Sequence, residues 1–151
     1  MLLDHVVFHT EEDYPADLSM AHAATHMGYY WSWAARRDLV NQQWDEVAND
    51  DMAALKLGQM SGAQFVLENM GGGLEDTDFN EEGRRFSLFY YDDEDEGYGR
   101  FMEDYVGTLN TPALTSFYHV LVNDENQALL DGVFDAALAQ WRRSLRPQSQ
   151  G

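Results

Sequence analysis

The sequence predicts a mostly α-helical single domain with a small two-stranded β element. Three observations carry this. Apolar residues recur at helical spacing in four segments with recognisable ends. Only two short runs favour β-structure. The length of 151 residues, with 44% hydrophobic side chains, suits one domain with a real core. We place that domain at residues 1–146, with a short tail over 147–151.

Ser19 stands where it can cap a helix running to about Val40, with Met20, Ala24, Met27, Trp31 and Ala34 along one face. Ser61 and Gln64 have capping-box spacing, and each side chain can satisfy an orphan backbone N–H. Phe65, Val66 and Met70 follow, and Gly71 can close that helix in a left-handed conformation. Asp78 and Glu81 open a third helix expected to turn Phe79, Phe86, Phe89 and Tyr90 inward, which Gly83 weakens.

The last helix has the fullest signal. Asn123 is a cap, and Asp124 and Glu125 sit where the helix dipole favours acid. Leu129, Leu130, Val133, Phe134, Ala137, Leu138, Trp141 and Leu145 recur in helical steps. Arg142, Arg143 and Arg146 fill the last turn before Pro147. Shorter helices are expected near Asp51–Leu57 and Tyr98–Val106. Val6–His9 and Phe117–Val122 are the runs expected to pair as strands.

Charge narrows the function classes. Nine Lys+Arg face 27 Asp+Glu, a net −18, so no basic footprint exists for neutralising phosphates. Residues 68–104 hold 13 acids and 3 bases, against 4 acids and 3 bases in 105–151. The absence of cysteine excludes disulfides, thiolate metal sites and cysteine nucleophiles. Met1-Leu2-Leu3-Asp4-His5 lacks the basic start and apolar run of a secretory signal, and no apolar run has membrane-spanning length. A cytoplasmic protein that binds neither membrane nor nucleic acid directly is expected.

Two constellations have metal-ligand spacing. His22 and His26 stand four apart, so both imidazoles can share a helix face, with a third ligand from His5, His9, His119 or a carboxylate. Ala23 stands where the zinc-hydrolase motif has Glu, and a polar seam explains the same pair. Asp92–Glu103 follows a calcium-loop count, with Asp92, Glu94, Glu96, Gly97 and Glu103 at key positions. The glutamates at its third and fifth positions and Gly99 depart from that pattern, and a solvated acidic loop accounts for the run equally well. Gly71-Gly72-Gly73 lacks the Lys-Ser/Thr of a phosphate loop. Tyr29-Tyr30-Trp31-Trp33 holds more aromatics than one buried stripe requires; core packing is the first use expected, a groove or interface the second.

The order of motifs adds a resemblance. Tyr14-Pro15-Ala16-Asp17-Leu18, Ala24-Thr25-His26-Met27-Gly28 and Trp33-Ala34 come first. Asp78-Phe79-Asn80-Glu81-Glu82-Gly83 with Phe86, Tyr90-Tyr91, Asp104-Tyr105, Phe117-Tyr118-His119-Val120 and Trp141-Arg142 follow. Together these resemble a family of small, acidic, uncharacterised bacterial proteins, from about Phe8 onward. The chain departs from the family pattern at Phe8, where Trp is expected, and in its longer acid run. The family implies no activity. Small acidic proteins of this type look like the immunity partners of bacterial secreted toxins, a likeness of size and charge.

That likeness implies a non-enzymatic protein, without cofactor, that neutralises a cognate toxin of basic surface. The expected docking residues are Tyr90, Tyr91, Asp92, Asp93, Glu94, Asp95, Glu96 and Tyr98. The alternatives are an acidic nucleic-acid mimic that inhibits a DNA- or RNA-processing enzyme, a metal-dependent enzyme built on His22 and His26, and a domain whose charge serves only solvation.

Overall fold

The architecture grows outward from one helix that is buried on every side. The computed structural model describes residues 1–10, 14–92 and 100–145. Helix α1 spans Thr25–Arg36, and every residue from Thr25 to Ala35 is buried. A helix buried all round belongs at the centre of a fold rather than on its surface. Tyr29, Tyr30, Trp31 and Trp33 are therefore all core residues.

The single helix expected from Ser19 to Val40 is shorter and divided. Met20–Ala24 is a 3-10 segment, and the Ser19 side chain makes no cap to it. Ala23 and Ala24 are buried there, while Met20 faces solvent. At the other end Asp38 adopts a left-handed φ of 58° and turns the chain away. Leu39 N–H then bonds back to the Ala34 carbonyl, and Val40 forms an isolated bridge with Phe79.

Three short helices follow: α2 (Trp44–Val47), α3 (Asn49–Lys56) and α4 (Gly62–Asn69). Ser61 Oγ accepts from Gln64 N at 3.0 Å, as its spacing predicts. The box is not closed, because the Gln64 amide reaches Glu68 instead. Gly71 closes the segment at a φ of 64°. Helices α1 and α4 meet at Gly28 and Gly62, backbone to backbone. A Cβ on Gly28 would overlap the Ala63 backbone, and one on Gly62 would overlap the Gly28 carbonyl. Only hydrogen at both positions lets the helices approach this closely.

The sheet pairs different strands from those expected. β1 (Leu2–His5) runs antiparallel to β2 (Gly73–Glu75), with Asp4 opposite Leu74 and an irregularity between Leu2 and Asp4. Val6–Phe8 is a 3-10 turn, started by His5 Nδ1 accepting from Val7 N. Phe117–Val122 is not a strand, because Ser116 draws the chain into a turn by accepting from Tyr118 N through its Oγ and from His119 N through its carbonyl.

Helix α5 (Glu81–Tyr90) starts at Asn80, whose side chain accepts from Gly83 N; Asp78 belongs to a preceding 3-10 turn. Gly83 is weak helix former but necessary packing, since the Leu39 carbonyl occupies the space a Cβ would need. Phe86 and Tyr90 turn inward, whereas Phe89 is 53% exposed. α6 (Arg100–Leu109) buries Phe101 and Tyr105.

α7 (Asp124–Leu145) matches its sequence signal, with Asn123 Oδ1 accepting from Asn126 N at 2.7 Å. Its inner stripe is Leu130, Phe134, Leu138 and Trp141, narrower than expected, because Leu129 and Leu145 are exposed. Asp135 fastens α7 to α1 by accepting from Trp33 Nε1 at 2.8 Å and from Arg37 at 2.7 and 2.8 Å.

The glycine contact gives a direct test. Gly62→Ala should destabilise the protein by about 2–3 kcal/mol through forced separation of α1 and α4. Urea unfolding should show this as a lower midpoint; an unchanged midpoint would mean the helices do not touch there.

Candidate functional site

Asp4 lies at the end of β1, and its carboxylate is buried with hydrogen-bonding partners from three other parts of the chain. His9 Nε2 reaches Oδ1 at 2.8 Å from just beyond the 3-10 turn. His26 Nε2 reaches Oδ2 at 2.9 Å from the first turn of α1. Tyr91 O–H donates to Oδ2 at 2.5 Å from the end of α5, and His5 N–H donates to Oδ1 at 2.8 Å. Tyr118 adds an outer partner, its hydroxyl 2.8 Å from His9 Nδ1.

Burial works against charge on Asp4, but the hydrogen bonds from His26 and His9 outweigh it and hold the carboxyl well below the usual carboxylate range. An ionised carboxylate only accepts, so each imidazole presents Nε2–H to it. As a neutral ring, His9 then accepts from the Tyr118 hydroxyl at Nδ1. His26 Nδ1 is buried and has no hydrogen-bond partner, lying in a ring environment of Phe101, Tyr105 and Phe117. Burial pushes the His26 pKa down despite the neighbouring Asp4. Burial, reinforced by Asp4, pushes the Tyr91 phenol far up.

The sequence pairing of His22 with His26 is not the arrangement formed. His22 lies beside Ser19 Oγ at 3.2 Å, outside the Asp4 cluster. His119 is engaged with Asp17 at 2.9 Å and Ser116 at 2.6 Å. His9 is one of the remote third ligands the sequence offers; Asp4 is one carboxylate among many there, and Tyr118 stands in a resemblance motif that assigns it no role. Their meeting depends on the β1 irregularity and the Ser116 turn, neither of which has a local motif.

The expected docking residues divide into two groups. Tyr90 and Tyr91 are buried, so their rings serve the interior. Tyr90 O–H donates to Asp104 at 2.5 Å, and Tyr91 stacks on Phe101 with centroids 4.2 Å apart. Asp92 is partly buried at the end of this element. Asp93, Glu94, Asp95, Glu96 and Tyr98 lie outside the described residues, as does most of the Asp92–Glu103 calcium-loop pattern; Glu103 itself is exposed on α6.

Cations on the described surface are largely engaged. Arg36 pairs with Asp131, Arg37 with Asp135, Lys56 with Asp45, Arg84 with Asp76, Arg85 with Glu81 and Arg142 with Glu82. A separate cleft of about 220 Å³ opens between α1, α4 and the start of α7, with Ser32, Arg36, Gln59 and Gln127 among its lining residues. Among the described residues, no helix is long and apolar enough to cross a membrane.

His26 provides a pH test. Its pKa is lowered from the ordinary 6.5, so the unfolded chain binds its proton more readily. The His26 contribution to stability is therefore present above pH 6.5 and lost as pH falls through the folded value. Asp78, lifted by burial to about 6, acts in the opposite direction over an overlapping window. NMR of the His26 ring isolates the effect from the melting curve: a titration midpoint below 6.5 is expected, and one at or above 6.5 would contradict the buried network.

No curated protein and no solved structure matches the chain. One family model does, described as Domain of unknown function (DUF7832), over residues 2–120. That span takes in β1, the Asp4 cluster, α1 to α6 and the Ser116 turn, so the chain belongs to this family of unknown function.

Proposed function

We propose that the protein is a non-enzymatic, cytoplasmic binding protein that captures a basic protein partner, as an immunity protein neutralises a cognate toxin. One observation carries the reading: a net −18 chain whose described cations are largely paired with carboxylates leaves a surplus of acid on its surface. Such a field speeds capture of basic partners and rejects acidic ones.

Within this reading, the run Asp92–Glu96 steers the encounter, and the buried Tyr90 and Tyr91 precede it in the chain. Affinity needs a desolvated anchor as well as charge. Phe89 supplies one: it is 53% exposed, three residues before the acid run.

Charge and anchor separate kinetically. With the product of an adjoining toxin gene as partner, changing Asp92–Glu96 to Asn and Gln should slow association roughly tenfold at low salt and flatten its salt dependence. Phe89→Ala should leave association nearly unchanged and speed dissociation by about tenfold or more. Co-expression with that toxin should restore growth and give a stoichiometric complex. Failure to restore growth, or the absence of a toxin gene beside this one, would count against the reading.

A further inference from the structure

We infer that Asp4, His9 and His26 form a binding site for one divalent transition-metal ion of the zinc type. This inference is independent of the capture of a protein partner. The three side chains each offer a ligand atom, and these atoms all lie within 4.8 Å of one another. The two Nε2-to-carboxylate spacings are 2.8 and 2.9 Å. Tetrahedral ligands around an ion with bonds of about 2.0–2.1 Å stand about 3.3–3.4 Å apart, so each contact opens by about half an ångström to admit the ion.

The protons can be rearranged without breaking a hydrogen bond at either Nδ1. A cation on the two Nε2 atoms requires each imidazole to carry its proton on Nδ1 instead. At His9 the partner across Nδ1 is the Tyr118 hydroxyl, which can accept as readily as donate. At His26 no partner fixes Nδ1 in either state. The tautomer change keeps the Tyr118 hydrogen bond at His9, and at His26 it trades an unpartnered buried acceptor for an unpartnered buried donor, with no change in proton number.

Outer partners hold the ligands in place. Tyr91 and the His5 amide each donate to one Asp4 oxygen, and Tyr118 orients His9. Metal sites rely on such bonds to fix ligand orientation. Two imidazoles and one carboxylate suit zinc, iron(II) or cobalt(II) better than calcium or magnesium, which prefer all-oxygen sites. Three protein ligands leave a position for water, and the side of the cluster nearest solvent is His9, whose side chain is 15% exposed against 1% for His26. Bound there, the ion joins β1 and the segment after it to α1.

Metal-stripped full-length protein titrated with Zn²⁺ tests this by calorimetry, elemental analysis and thermal melting. We expect one tightly held equivalent that survives gel filtration, a raised melting temperature, and perturbed His9 and His26 ring resonances. His9→Gln, checked for folding by circular dichroism, should weaken that equivalent at least a hundredfold, while His22→Gln should leave it unchanged. Absence of a stoichiometric equivalent in wild type, or undiminished binding in folded His9→Gln, would overturn the site. Should His9→Gln not fold, unperturbed His9 and His26 resonances in zinc-loaded wild type would overturn it equally.

Discussion

A buried carboxylate with no Lys or Arg pairing in the described structure sets the terms for this fold. Asp4 must keep its donors or lose its place in the interior, because an unsatisfied buried charge is far more costly than an exposed one. Its donors come from His5 and His9 near the N-terminus, His26 on α1 and Tyr91 at the end of α5. The network therefore fixes the first strand, the central helix and the flank of the acid run relative to one another. Hydrogen bonds to a charged group contribute about 1.5–3 kcal/mol each, enough for one cluster to matter beside the whole stability of a domain.

Around that polar knot the packing is aromatic. Tyr30 meets Trp33, Tyr91, Phe101 and Phe134, and Trp31 meets Trp44, Phe65 and Phe79. The large rings leave little freedom for the helices to slide, and the Gly28–Gly62 contact removes more at the α1–α4 crossing. Tyr91 belongs to both systems, with its ring on Phe101 and its hydroxyl on Asp4. That dual use explains why a tyrosine beside an acidic run is not itself a surface residue.

Elements with local signals were legible in the sequence. The α7 stripe and its Asn123 cap, the Ser61 cap and the Gly71 terminus all follow from neighbours within a turn. A small two-stranded sheet was legible but its strands were not, since β2 is only three residues long and Val6–Phe8 has β-prone composition yet forms a 3-10 turn. The packing role of Gly83 was not legible, because the Leu39 carbonyl that requires it comes from a distant segment. The candidate site failed for the same reason. His26 was visible, but its partner Asp4 lies 22 positions away with nothing local to mark it, and Tyr91 was read as a docking residue rather than as a donor to Asp4. The charge was legible as a quantity; that Phe89 is exposed while Tyr90 and Tyr91 are buried needed the structure.

Tyr91 closes α5 and precedes Asp92 in the chain, so the Asp4 network reaches the start of the acid run. If Asp4 organises this junction, its carboxylate and the Tyr91 hydroxyl must act as a unit. A double-mutant cycle with Asp4→Asn and Tyr91→Phe, measured by urea unfolding, tests this most directly. The network predicts a coupling energy of about 1–2 kcal/mol. Effects that add to within about 0.3 kcal/mol would contradict it.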